Sequence, residues 1–271
     1  MRIRRIIRTN IIENLPKKYR FLFERLYYYY FDKKSNLKTD LQIIKQLCNP
    51  AKVSLDIGAN DGTITMYLCK FTPHVYCFEP VPRMVDHLKR KFNDCNVTIE
   101  NCALGNANEN LSLSIPRVGS KRYETRSSLI KNFENDFILG EKVTDVEKIR
   151  VAVKRLDDFN INNIGFMKID VEGFEFDVLK GSENTIRREM PNIYIEIEQR
   201  HHEKDSIYNI FQYIKKLGYF AYFVDCNNNS KKIRSIEMFD VEKMQKESNE
   251  KTDYYINNFI FSPSPIRNMK L

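Results

Sequence analysis

Hydrophobic positions along this chain fall into two patterns: short apolar runs closed by glycine, proline or a carboxylate, and longer segments with apolar residues at helical spacing. Val53-Ser-Leu-Asp-Ile57 is a run of strand character that turns at Gly58 and passes Gly62 into the helix-patterned stretch 63–71. Before it, Leu41, Ile44 and Leu47 share one face of a predicted helix stopped by Asn49-Pro50. After it come an apolar strand over 75–79 ending on Glu79, a helix over 84–92 and a third strand over 97–103. Strand, helix, strand, helix, strand predicts a parallel sheet with right-handed crossovers.

Leu111 to Ile115 alternates like a half-exposed strand, whereas Arg117 to Arg150 loses periodicity among its charges. The second stretch is expected to be a mobile lid or substrate loop. An alternating strand opens 151–159, and 164–169 predicts a fourth core strand ending in Asp170-Val171-Glu172-Gly173. A helix from Glu175 closes near Gly181, 193–197 predicts a fifth strand, and a helix over 207–217 stops at Gly218. The last strands are expected at 219–224 and 254–261, with a loop and a short helix over 227–252.

Residues 1–31 differ: Ile3, Ile6, Ile7, Ile11 and Leu15 recur at helical spacing among Arg2, Arg4, Arg5 and Arg8, and aromatics follow Pro16. They predict a helical cap on the domain or on a second copy in a homodimer. The alternative is a peripheral membrane contact, since a basic amphipathic helix can lie on anionic lipid. The expected division is an N-terminal helical extension over 1–50 and a main domain over 51–271.

The chain has 271 residues, 42% hydrophobic and 30% charged, enough for one large α/β domain with additions. A net charge of +8 favours acidic partners such as phosphorylated substrates, anionic lipid or nucleic acid. The six cysteines show no C-x-x-C pair and no zinc spacing, so they are expected as reduced core thiols in a cytoplasmic protein. No apolar run approaches a transmembrane span, and the basic N-terminus lacks a signal-peptide core.

Ligands of an open α/β sheet bind outside the carboxyl ends of the strands. The strand ends here carry Asp56, Gly58, Asn60 and Gly62, then Glu79-Pro80, Asn101 to Ala103, and Asp170 to Gly173. Asp-x-Gly-x-Asn-x-Gly is not the glycine fingerprint of a pyrophosphate site. Its leading carboxylate suits an ammonium, and Glu79 can accept from both hydroxyls of a ribose. A ligand with an amino acid moiety and a ribose but no phosphate describes S-adenosyl-L-methionine better than NAD. Asp56, Gly58, Asn60, Gly62, Glu79, Pro80, Asn101, Ala103 and Asp170 are the candidate cofactor residues.

These motifs resemble the FkbM-type family of class I S-adenosylmethionine-dependent methyltransferases, from about Val53 to Ile197. The match is carried by Leu-Asp-Ile-Gly-Ala-Asn-Asp-Gly at 55–62, Phe-Glu-Pro at 78–80 and Lys-Ile-Asp-Val-Glu-Gly-Phe-Glu at 168–175, with Val178 to Gly181 extending it and a weaker motif at Ser127-Ser128-Leu129. The resemblance implies a Rossmann-like α/β fold: a seven-stranded, mostly parallel sheet with one reversed strand and helices on both faces. It also implies methyl transfer to a hydroxyl of a sugar or natural product. The N-terminal helices and the stretch after Gly218 match no family motif.

Transfer to a neutral hydroxyl calls for alignment and a base. Asp170 and Glu172 are the candidate bases, and His201, with His202, is next in line. Lys168 shares Asp170's side of its strand and is expected to pair with it. Lys168, Glu175, Glu196 and Ser128 are candidate substrate contacts, although a first-turn acid such as Glu175 can simply cap its helix. No metal is assigned, although adjacent histidines near acids could bind one. The expected acceptor is a small molecule or glycan, phosphorylated or lipid-linked in keeping with the net charge. A nucleic-acid methyltransferase is the alternative, but the strand tip lacks Asn/Asp-Pro-Pro-Tyr/Phe and Asp170-Val171-Glu172 would repel phosphate. A non-catalytic scaffold is the third reading.

Overall fold

A computed structural model describes residues 37–131, 133, 136–138, 140–198, 201, 206–227, 230–236, 241, 244–245, 256–267 and 269–271. The helices expected in 1–31, and His202, lie outside the described residues. The chain divides into two units, Met1–Ile43 and Ile44–Leu271. Of the first, only 37–43 are described, as the opening of helix α1 (Leu37–Leu47).

The apolar runs of the second unit become strands because they can be covered on both faces. β1 (Val53–Ile57) is buried at Ser54 to Ile57, and the strand at Ile164–Ile169, β10, is buried at every position. Such continuous burial is the mark of interior parallel strands. With β2 (Val75–Phe78), β3 (Val97–Glu100) and β11 (Asn192–Glu196) they form five parallel strands in the order β3-β2-β1-β10-β11. Beyond β11 the sheet continues with β14 (Asn258–Ser262), β12 (Phe220–Asn227) and β13 (Ser230–Ser235), each antiparallel to its neighbour.

The sheet therefore has eight strands, not seven, and two run against the others. The additional one, β13, lies in the stretch expected to be loop. Its Ser-Lys-Lys-Ile-Arg-Ser sequence carries little apolar signal because it is an edge strand, where lysines are tolerated and only pairing with β12 defines the element.

Helices α2 (Thr63–Leu68) and α3 (Pro82–Lys91) connect β1 to β2 and β2 to β3; α4 (Glu175–Lys180) and α5 (Glu183–Glu189) connect β10 to β11. Strand order reverses between β1 and β10, so right-handed crossovers place these two helix sets on opposite faces. On α6 (Ser206–Lys216), Ile207, Ile210, Phe211 and Ile214 form one buried stripe. Phe211 meets Phe259 and Phe261 of β14 edge-on, both at 5.2 Å between ring centres.

In place of an unbroken structureless lid, both ends of 117–150 belong to a second sheet. Its order is β4 (Ala103–Leu104), β9 (Asp145–Lys154), β5 (Glu109–Val118) and β6 (Lys121–Arg122), with a separate hairpin of β7 (Phe137–Ile138) and β8 (Glu141–Lys142). β5 and β9 pair from Glu109↔Val153 through Arg117↔Asp145. Leu113, Ile115 and Val151 pack with Val81 on one face of this ribbon, while Ser112, Lys148 and Arg150 on the other are exposed, so charges obscure its period. A small second cluster of Phe133, Ile138 and Val143 supports the hairpin.

Cys48, Cys69, Cys77, Cys95 and Cys102 are free thiols. Cys77 and Cys102 are buried, but Cys95 is exposed, against the expectation of core thiols throughout. Among the described residues no helix is long and apolar enough to cross a membrane, and no group of three or more His, Cys, Asp or Glu is placed to hold a metal ion.

Candidate active site

The turn after β1 is built for close approach. Gly58 and Ala59 donate their amides to Phe78 O at 2.9 and 3.2 Å, and Asp170 N donates to Ile57 O at 3.0 Å. Gly58 has φ +80°, and a Cβ there would stand 1.9 Å from Asp170 O. Only glycine fits between the two tips. Beyond them lies a cavity of about 490 Å³, lined by the carboxyl ends of β1, β2, β10 and β11 and by the second sheet.

Glu79 is the acid of the β2 tip. It is buried, and its two oxygens accept from Asn60 N at 2.8 Å and Val81 N at 2.9 Å. Burial pushes its carboxyl up to about 7 despite those amides. Each oxygen keeps a lone pair for a further donor. Asn60, left-handed at φ 48°, also lines the cavity, and its buried Oδ1 has no hydrogen-bond partner among the described residues. Asn101 Nδ2 braces this tip by donating to Glu79 O at 3.1 Å and Pro80 O at 3.2 Å.

Asp56, Gly62 and Asn101 do not line the cavity, whereas Gly58, Asn60, Glu79, Pro80, Ala103 and Asp170 do. Asp56 lies beneath the turn, where its Oδ2 accepts from Thr65 Oγ1 at 2.6 Å, and burial raises its carboxyl to about 6. Gly62, at φ +73°, packs where a Cβ would be 2.5 Å from the Phe92 ring.

Lys168 and Asp170 pair as the strand parity requires, at 3.3 Å. Burial works against the Lys168 ammonium, but Asp170, Glu196 and Asp56 together hold it above the ordinary lysine value. Glu196 ends β11, and burial and then the charge of Asp170 push it well above the carboxylate range. Asn257 Nδ2 donates to Glu196 at 2.7 Å and to Glu198 at 3.0 Å. Both acids and Asn257 line the cavity, while Lys168 sits behind it.

Glu172 occupies a left-handed turn, φ 51°. Its Oε2 lies 3.2 Å from His201 Nε2, which is 3.9 Å from Glu198 Oε2. Ser128 is almost wholly buried and reaches across from the second sheet: its Oγ donates to Glu172 O at 2.8 Å and accepts from Ile130 N and Lys131 N at 3.3 and 3.2 Å. It anchors the turn and does not line the cavity. Glu175 is likewise buried, and its Oε1 accepts from Gly173 N at 2.9 Å.

A second cleft of about 850 Å³ opens on the far side of Glu172, with His201 in its wall. Glu124, Thr125, Arg126 and Glu172 line both spaces. Arg126 and Asn257 carry no sequence signal of their own. Arg126 directly precedes the Ser127-Ser128-Leu129 motif, and Asn257 precedes the last strand by a single residue.

A protein described as "Methyltransferase 1" from Beauveria bassiana is 27% identical to this chain over 157 residues, 53% of the chain and 63% of that protein. The "2-O-methyltransferase NoeI" of Sinorhizobium fredii is 28% identical over 164 residues, 57% of the chain and 67% of that protein. The crystal structure of an FkbM methyltransferase from Methylobacillus flagellatus aligns with 95% of this chain and 59% of its own, at 15% identity and a TM-score of 0.48. The family model described as the methyltransferase FkbM domain matches residues 56–221, more than half of the sequence and all four parallel-strand tips of the cavity, and the chain belongs to that family.

Proposed function

We propose that the chain is an S-adenosylmethionine-dependent O-methyltransferase whose acceptor is a hydroxyl of a sugar or glycoconjugate. The observation that carries this reading is one cavity with an acid suited to a ribose at the β2 tip, Glu79, and an acid suited to a base beyond the β10 tip, Glu172. The residues fit such a cofactor. Glu79 retains lone pairs for two hydroxyl donors, the unpartnered Asn60 Oδ1 can accept from an ammonium, and Ala103, Leu104 and Leu113 offer an apolar wall to a purine. Bound there, S-adenosylmethionine would supply an electrophilic methyl group, the carbon–sulfur electron pair leaving with the sulfur.

The protein's part is alignment and proton removal. The acceptor oxygen must lie roughly 3 Å from the methyl carbon, in line with the bond that breaks. Its proton passes to Glu172, which faces both the cavity and the outer cleft; Glu124 lines both as well but is held by Arg83 and Arg122. His201 and Ser128 hold that residue by side chain and backbone. Asp170 is the weaker candidate because Lys168, at 3.3 Å, already competes for its lone pairs.

The name of the rhizobial relative supports oxygen as the acceptor atom, and the family resemblance supports a sugar. The test is transfer of labelled methyl from S-adenosylmethionine into fractionated saccharide, lipid and RNA extracts. Label is expected in saccharide or glycolipid, and Glu172→Gln should lower its rate by about 10²–10⁴-fold with cofactor affinity retained. Label in RNA alone, or full turnover by the variant, would overturn the assignment.

A further inference from the structure

The two spaces that meet at Glu172 have opposite electrostatic characters. The inner cavity is lined by Glu79, Glu124, Asp170, Glu172, Glu196 and Glu198, with Arg126 as the single cation among the described residues. In the outer cleft each carboxylate faces a partner: Glu124 meets Arg83 at 3.1 Å and Arg122 at 3.5 Å, Asp136 meets Lys131 at 2.7 Å, and Glu172 meets His201 at 3.2 Å. Two cations are left over. Lys121 lies over the Tyr123 ring at 4.1 Å and donates to its hydroxyl at 2.9 Å, with no carboxylate partner among the described residues. Arg126 has no ion pair among the described residues.

Arg126 is not a loose surface side chain. It is half-buried at the end of a 3-10 turn, Glu124–Arg126, tied by Arg126 N to Tyr123 O at 3.0 Å and Ser127 Oγ to Glu124 O at 2.8 Å. A half-buried arginine with no carboxylate among the described residues is a ready bidentate partner for an oxyanion. Tyr123 and Phe137, the latter 64% exposed, offer ring surface beside it, as ligand clefts commonly do.

We propose that the outer cleft is the acceptor site and that its acceptor is an anion, a hydroxyl compound whose phosphate or carboxylate lies on Arg126 and Lys121 while its hydroxyl reaches Glu172. This rests on the methyl-transfer reading. It divides the charges sensibly: a cationic donor in the acidic cavity, an anionic acceptor in the cleft that carries surplus cations, with Glu172 between them.

Calorimetry on the full chain with S-adenosylhomocysteine present tests it, using inorganic pyrophosphate and glucuronate as anionic probes and glucose as the neutral one. One anion should bind in about the millimolar range or tighter and glucose at least about tenfold more weakly. Which anion binds distinguishes phosphate from carboxylate. Arg126→Gln should weaken the anion about tenfold or more and Lys121→Gln about threefold, with S-adenosylhomocysteine affinity held within about twofold as proof of folding. The inference is overturned if neither anion exceeds glucose, or if Arg126→Gln binds the anion like the wild type. It is also overturned if that variant loses S-adenosylhomocysteine as strongly as the anion, which would place Arg126 on the donor side. A wild type that does not bind S-adenosylhomocysteine would overturn the methyl-transfer reading itself, and this inference with it.

Discussion

The strand tips and the inserted second sheet bound the same cavity by different means. At the tips, position is set by backbone: Gly58 wedged against Asp170 O, the amides of Asn60 and Val81 on Glu79, a left-handed turn at Glu172. On the insertion, the β5–β9 backbone ladder is joined by side chains, through half-exposed ion pairs such as Arg122 with Glu147 at 3.3 Å and the buried hydroxyl of Ser128. Backbone geometry tolerates little change, whereas exposed side-chain pairs contribute about 0–1 kcal/mol each and can be exchanged cheaply. A donor common to a family belongs on the first kind of surface and a variable acceptor on the second.

The sharpest way to break that contrast is Gly58→Ala. A Cβ 1.9 Å from Asp170 O, on a residue at φ +80°, should cost about 3 kcal/mol or more in urea denaturation and abolish cofactor binding. An alanine variant of wild-type stability would show that the tips yield as easily as the insertion. Next is Glu79→Gln, expected to weaken S-adenosylmethionine about 10- to 100-fold, since hydrogen bonds to a charged acceptor are worth about 1.5–3 kcal/mol.

The third test is pH. Glu79 sits at about 7 in the fold, and ribose hydroxyls would favour its ionised form, so cofactor affinity should fall as pH drops below about 7 and level off above it. Stability of the free protein should move the other way. Burial raises Glu79 from 4.5 to about 7 and Asp56 from 3.8 to about 6, so between those values the folded state binds more protons than the unfolded one, and stability declines as pH rises. Each contributes on the order of 3 kcal/mol at most. Affinity independent of pH between 5.5 and 8 would remove Glu79 from the ribose. The smallest effect is expected on the insertion side: Ser128→Ala should cost about 1 kcal/mol and lower kcat more than it raises KM, because the turn at Glu172 loses its anchor.

The parallel half of the fold was legible because its central strands are buried on both faces and end in glycine or an acid, as 53–62 and 164–173 do. β5 and β9 were half legible: Leu111 to Ile115 alternates visibly, but Lys148 and Arg150 are exposed, where no burial enforces a period. β13 was hidden for the same reason at the sheet's edge. In the site, Glu79, Asp170 and Glu172 announce themselves at strand tips. Asp56 stands out in the sequence in the same way but does not line the cavity, because a tip residue can face beneath the turn as readily as above it, and here Thr65 donates to it. Asn257 reaches Glu196 and Glu198 across more than fifty residues of sequence, a proximity that no local pattern encodes.

The reversed strand β14 lies between β11 and β12, so the sheet is completed from the inside by residues 258–262. During synthesis at about 5–20 residues per second, residues 197–262 take roughly 3–13 s to emerge after β11. For that interval β11 has an open edge, β12 and β13 have no sheet to join, and Glu196 and Glu198 face one another without the Asn257 amide. The growing polypeptide thus carries a vacant slot in the middle of its sheet until residues 258–262 arrive.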